Sequence, residues 1–153
     1  MPPAAHADRF EPLPDALAAR WSDFGQWDET FFPRFVGVVL EEVRRDYARM
    51  RLPYRPQLRQ PAGAVHGGAI ATLIDTVVVP AIGGIYEERR ALLTLSMNVS
   101  YLDGLREEDA VAEGWVERRG RSVVFCRAEV RAAVGRLVAT GSLVYKVSSQ
   151  ALA

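Results

Sequence analysis

Four residues in this 153-residue chain, His66, Gly67, Gly68 and Asp75, combine types and spacing that can do chemistry. They lie in "HGGAIATLID", where a histidine and two glycines open an apolar run and a single carboxylate interrupts it. The run from Gly68 to Ile82 is long enough to be a helix, with Pro80 expected to end or kink it in the last turn. A helix apolar on nearly every side must be surrounded by protein. Its first amides have no intrahelical acceptors and carry the positive end of the helix dipole. Such an N-terminus can polarise a carbonyl and stabilise an oxyanion. The Gly pair can equally serve close packing alone. Asp75 falls about two turns into this helix, where an unpaired carboxylate is costly. Either a structural partner satisfies it or it lines a reactive, water-holding pocket.

Spacing adds a constraint. The eight residues from Gly67 to Asp75 rise about 12 Å along a helix, whereas reacting groups must approach to about 3–3.5 Å. One chain's Gly67 amide and its own Asp75 therefore cannot easily serve one carbonyl. Two copies packed antiparallel can, each giving its helix N-terminus to the other's carboxylate. That arrangement is an isologous homodimer with two equivalent composite sites.

The elements that must hold these groups follow from the remaining patterning. Residues 1–11 are Pro- and Ala-rich and read as a flexible tail that includes His6. A short helix is expected over about 13–25, with Leu13, Leu17, Trp21 and Phe24 at helical spacing and Gly25 stopping it. That stripe reads as packing. "FVGVVLEEV" and "YARMRLPY" read as two strands joined by a polar turn, and Pro53, Pro56 and Pro61 make the approach to His66 extended. The central helix is expected over about 67–82. "TLSMNVSYL" alternates, with Leu95, Met97, Val99 and Tyr101 on one face and Thr94, Ser96, Asn98 and Ser100 on the other. "DAVAEGWVERR", "SVVFCRAEVRA" and "RLVATGSLVYKV" complete the strands, the second placing Val124, Cys126, Ala128 and Val130 on one side. The order predicts an α+β domain over residues 12–153, with one curved antiparallel sheet of about six strands wrapped around the central helix.

Composition narrows the chemistry. Hydrophobic residues make up 49% and charged residues 25%, with zero net charge and two histidines. That balance gives no general pull toward nucleic acid or membranes. No apolar run reaches spanning length. The first thirty residues lack the pattern of a secretory leader, so a cytoplasmic location is expected. Cys126 is the only cysteine, which excludes a disulfide framework and a thiolate metal cluster. Two histidines, one in the tail, do not make a metal site. There is no GxSxG elbow and no P-loop lysine after the glycines.

"GAVHGGAIATLID" resembles the His-Gly-Gly helix signature of hotdog-fold acyl-CoA thioesterases, in the PaaI-like branch of the 4-hydroxybenzoyl-CoA thioesterase superfamily. The similarity continues through "TLSMNVSYLDGLREEDAVAEGWVERRGRSVVFCRAEV" to "GRLVATGSLVYKV", roughly residues 47–147. The resemblance implies a hotdog fold and hydrolysis of an acyl-CoA, aryl-acyl or medium-chain, to free acid and CoA. It implies that Asp75 activates water or attacks the thioester, and that the Gly67 amide polarises the carbonyl. His66 would order the loop, Gln60 would hold the carbonyl or the water, and Thr94 would orient the attacking water. Gly68 would lie against the substrate, with Arg118, Arg119 and Arg121 near the CoA phosphates. No metal or resident cofactor is implied, and two dimers of the family type can pair into a homotetramer. Two other readings on the same fold are a non-hydrolytic acyl-CoA-binding module and a hydratase or dehydratase of acyl thioesters.

Overall fold

The structure, a computed structural model, describes residues 6–152. Six strands form one antiparallel sheet: β1 (Val39–Arg44), β2 (Tyr47–Leu52), β3 (Arg90–Tyr101), β4 (Ala110–Arg119), β5 (Val123–Ala132) and β6 (Leu137–Ala151). Their order across the sheet is β1-β2-β4-β5-β6-β3, which leaves β1 and β3 as the edges. Among the described residues three α-helices accompany them: α1 (Asp15–Ala19), α2 (Phe32–Val36) and the central α3 (Gly67–Gly83). The expected curved sheet around one long helix is what the chain forms. No helix is long and apolar enough to cross a membrane among the described residues.

Close approach of helix and sheet is what makes the core. Ile70, Leu73, Ile74, Val77, Val78, Ala81 and Ile82 of α3 are buried against inward residues such as Met50, Ala112, Cys126, Ala128 and Leu143. Two glycines create the groove the helix lies in. A Cβ on Gly114 of β4 would come within 2.7 Å of Val77 Cγ1, and one on Gly141 of β6 within 2.6 Å of Ile74 Cγ2. Any larger residue at either position would push α3 off the sheet. Pro80 does not end the helix, which runs on to Gly83. Its missing N–H costs only one bond near the end of the last turns.

The N-terminal third departs from the sequence expectation in three places. The expected helix over 13–25 is helical only from Asp15 to Ala19 and continues as turns to Gly25, whose φ of 87° closes the segment. The strand expected from Phe35 begins only at Val39. Phe32–Val36 is instead a short helix that starts with Pro33 in its first turn and stops at Gly37 in the left-handed region. These are local capping effects that override the apolar pattern. The expected tail of residues 1–11 is docked from His6 onward; residues 1–5 lie outside the described residues. Ala7 is buried, the His6 ring lies 4.4 Å from the Trp115 ring, and the His6 amide donates to Glu113. His6 and Glu129 also pair, at 3.1 Å.

β3 carries a bulge that decides where its side chains go. Thr94 pairs with Tyr145 while Ser96 pairs with Val144, so Leu95 is an extra residue in the ladder. Strict alternation would send Thr94 and Tyr101, seven apart, to opposite faces. The bulge flips the phase between them, and both face α3. The alternation read from "TLSMNVSYL" is therefore corrected on the N-terminal side of the bulge.

Candidate active site

α3 carries a separate polar cluster at each of two places. At its N-terminus His66 is the cap residue, and its Nδ1 accepts from the Gly68 amide at 2.9 Å. That bond uses up the Gly68 donor, so Gly68 has no free amide to offer a substrate. The Gly67 amide, one residue earlier, has no acceptor among the described residues. Tyr101 of β3 donates its hydroxyl to the Gly67 carbonyl at 2.8 Å. A Cβ on Gly67 would lie 3.2 Å from that ring, so the glycine lets Tyr101 pin the first turn. Gln60 reaches the same place from the Pro-rich approach. Its Oε1 accepts from the Ala62 amide at 2.5 Å, which directs the side-chain NH2 away from that bond. Gln60, Gly67, Ile70, Tyr101 and Leu102 line one depression of about 370 Å³. The helix N-terminus thus presents an open backbone donor beside an amide side chain, a geometry suited to a carbonyl oxygen.

The second cluster is built around Asp75, half-buried in the middle of α3. Its Oδ1 accepts from the Thr94 hydroxyl at 2.9 Å and from the Tyr145 hydroxyl at 2.5 Å. Tyr145 also lies 2.7 Å from the Asp75 backbone carbonyl. Thr94 and Tyr145 are direct partners across the β3–β6 ladder, so one cross-strand pair supplies both hydroxyls. Burial, then the bond to Asp75, pushes the Tyr145 phenol above its ordinary range, so it stays a proton donor at neutral pH. Both hydroxyls fall on Oδ1, and Oδ2 accepts no hydrogen bond among the described residues. The carboxylate is held by one oxygen and open at the other.

The two clusters lie on one helix, about 12 Å apart along its axis. Thr94, expected from the resemblance to orient water, spends its hydroxyl proton on the carboxylate. Sequence reasoning missed Tyr145 and Tyr101. The signal for Tyr145 was present: it follows Leu143 at the inward spacing of β6, and a buried phenol needs a partner.

The three arginines of the β4–β5 region separate. Arg119 turns inward: it pairs with Asp46 at 2.6 Å and donates to the Ile82 carbonyl and the Tyr86 hydroxyl at 3.0 Å. It closes the C-terminal end of α3, apart from the exposed Arg118 and Arg121 with which the resemblance groups it near the CoA phosphates. Arg118 and Arg121 are exposed. Arg121 shares an open depression of about 930 Å³ with Arg90, Ser122 and Lys146. Burial pushes the Cys126 thiol up to about 12, far from a reactive thiolate. Among the described residues no group of three His, Cys, Asp or Glu side chains comes together as a metal site.

A helix N-terminus with an open amide and a mid-helix carboxylate, inside a sheet of this topology, define a class. The sequence model of the thioesterase superfamily matches residues 62–139, half of the chain, and the chain belongs to that family. A Halobacterium salinarum protein named for a proposed esterase activity is 37% identical over 94 residues, covering 58% of this chain and 62% of that protein. The chain thus spans about three-fifths of that relative's length. Among solved structures, a conserved protein of Pseudomonas aeruginosa is 27% identical with a TM-score of 0.69, over 76% of this chain and 92% of that one. The PaaI protein from the phenylacetic acid degradation operon of E. coli superimposes with a TM-score of 0.72 at 15% identity, over 79% of this chain and 86% of that one. The last likeness is one of fold.

Proposed function

We propose that this protein hydrolyses an acyl-CoA thioester to a free carboxylic acid and CoA, in composite sites formed by two copies of the chain. The carrying observation is the Asp75 carboxylate, anchored through Oδ1 by Thr94 and Tyr145 with Oδ2 open. The thioester carbonyl oxygen sits on the Gly67 amide of one subunit, beside Gln60. Oδ2 of Asp75 from the other subunit takes a proton from water as the water oxygen attacks the carbonyl carbon. Negative charge moves onto the carbonyl oxygen, where the amide and the helix dipole stabilise it. Collapse breaks the C–S bond, and the CoA thiolate takes the proton back from Asp75. Direct attack by Oδ2, giving an anhydride that water then opens, uses the same two groups. Aryl-acyl and medium-chain acyl groups are the substrate class, no resident cofactor takes part, and Arg118 and Arg121 serve the CoA phosphates.

The open edge of the sheet supports the dimer. β3 has an unpaired backbone edge and exposes Leu93, Leu95 and Met97, with Leu93 at 60%. A long apolar edge strand is a template for pairing with another copy. The test is complementation between two inactive chains. Gly67→Pro deletes the N–H at the first helical position, where His66 already has the extended backbone that a following proline requires. Its Cβ at 3.2 Å crowds the Tyr101 ring, so the variant disables this helix N-terminus while Asp75 lies about two turns further on. Mixed with Asp75→Asn chains, it should restore activity to about a quarter of the wild-type sites, because half the dimers are mixed and each holds one intact site. If mixing restores nothing while mixed dimers form, the composite site is wrong. If Asp75→Asn alone keeps full activity on an acyl-CoA panel, the thioesterase assignment of the carboxylate is wrong.

A further inference from the structure

The segment before the family-matched region builds a cavity of its own. Trp21, Phe24 and Trp27 wall a space of about 380 Å³ whose floor is Val79 and Gly83 of α3 and Leu92 of β3. The three rings form a continuous ladder. Trp21 and Phe24 lie 6.3 Å apart at 30°, and Phe24 and Trp27 lie 5.1 Å apart at 71°. Trp21 rests directly on the helix because Gly83 has no side chain: a Cβ there would lie 3.0 Å from the indole.

The cavity floor lies next to the carboxylate site along both the helix and the strand, although Asp75 and Thr94 themselves do not line it. Asp75, Val79 and Gly83 follow one another at four-residue intervals, so they form one stripe along α3. Leu92 and Thr94 are two apart on β3, before the bulge, and share a face. The cavity floor therefore begins about 6 Å from Asp75 along the helix and about 7 Å from Thr94 along the strand. A thioester whose carbonyl is attacked at Asp75 has its acyl substituent within one bond of that carbon. Three arginines line the mouth: Arg89 is exposed, and the other two are engaged with Tyr86. Arg20 donates to the Tyr86 carbonyl and the Arg90 guanidinium sits 4.4 Å over the Tyr86 ring, so they brace the opening.

We propose that this cavity receives the acyl group of the substrate and that its occupant is an aryl-acyl group. The assignment rests on the thioesterase reading of the Asp75 site. Rings set at different tilts present both faces and edges, which suit a flat aromatic guest in offset or edge-on contact. The aromatic and apolar walls of Trp21, Phe24, Trp27, Val79 and Leu92 match the flat face of an aryl group more closely than the amide-bearing arm of CoA. The N-terminal segment is then the specificity element, added to a helix and sheet that carry the chemistry.

Thiol release from phenylacetyl-, benzoyl-, hexanoyl- and acetyl-CoA tests this in wild type, Trp21→Ala, Trp27→Leu and Val79→Phe, each checked for native folding by circular dichroism. Val79→Phe fills the cavity from the helix side without touching the N-terminal segment. In all three variants the aryl-acyl to acetyl ratio of kcat/KM should fall at least tenfold. An unchanged ratio overturns the proposal, and so does an equal loss on every substrate, which would place the wall on the shared CoA arm. If wild type hydrolyses none of the four, the thioesterase reading fails, and the cavity is then read separately with phenylacetate. Quenching of tryptophan fluorescence in wild type but not in Val79→Phe supports an aryl-binding cavity, and no quenching in wild type overturns it.

Discussion

Replacing Tyr145 by phenylalanine removes one oxygen and leaves the core shape unchanged. Tyr145 is 2% exposed, and its ring packs with Val147, Leu143 and Cys126 in the main cluster. The lost hydroxyl is one of two donors on Asp75 Oδ1, and the shorter of them at 2.5 Å against 2.9 Å for Thr94. A hydrogen bond to a charged group is worth about 1.5–3 kcal/mol. If that energy serves to hold Oδ2 in its attacking orientation, kcat should fall about 10–100-fold, at about 1.4 kcal/mol per tenfold. KM should stay within about twofold, because the hydroxyl touches the carboxylate and not the substrate. Thr94→Val removes the remaining donor, and the double variant should lose less than the product of the single losses, since both act through one oxygen. The assay is steady-state thiol release from a bulky and a small acyl-CoA, with melting to confirm the fold. A folded Tyr145→Phe protein with unchanged kcat refutes the positioning argument. Unchanged kcat with a raised KM would move Tyr145 to the substrate side of the site.

Gly114→Ala tests the packing that seats the helix. Its Cβ would meet Val77 Cγ1 at 2.7 Å and Val78 Cγ1 at 3.1 Å, so the variant should lose about 1–3 kcal/mol. Thermal melting should show a lower Tm, partly recovered in a Val77→Ala background; equal Tm values for Gly114→Ala and wild type would show that the helix can shift at no cost. Alkaline stability tests the burial of Cys126. Burial raises the folded thiol to about 12, while the unfolded thiol ionises near its ordinary value of about 9. Between those values the unfolded chain holds fewer protons, so stability must fall as pH rises. The contribution is fully present below about pH 9 and is lost toward pH 12. Urea midpoints from pH 9 to 11 should therefore decline less steeply for Cys126→Val than for wild type, by up to about 1.4 kcal/mol per pH unit. Parallel slopes would mean that the thiol ionises alike in both states.

Legibility followed the range of the interaction. The alternation of Val124, Cys126, Ala128 and Val130 survives because every one of those residues is buried on the helix side. α3 was readable from its length and its glycine bounds, and it ends within a residue of the expected position. The first forty residues were poorly readable because their elements are short. Such elements are decided by capping at Gly25 and Gly37 and by packing on the finished sheet, not by periodicity. The bulge at Leu95 was invisible for a similar reason: an extra residue in a strand leaves no mark until its partner strand sets the register.

What the amino-acid sequence by itself determined is the spacing of two polar groups along one helix. An open amide at Gly67 and a carboxylate at Asp75 are separated by a fixed rise, because helical geometry is local and depends only on residue count. Only the tertiary structure decided which groups hold that carboxylate and what lies beside it. Tyr145 reaches α3 from the last strand, 70 residues beyond Asp75, while Thr94 and Tyr101 come from the strand that follows the helix and are aimed by its bulge. Trp21 reaches Gly83 across some sixty residues by the route of the N-terminal segment. Arg119, adjacent in sequence to the exposed Arg118, is drawn inward by Asp46 and the end of α3. Contacts of this kind depend on how the sheet curls around the helix, and no local pattern encodes that curvature.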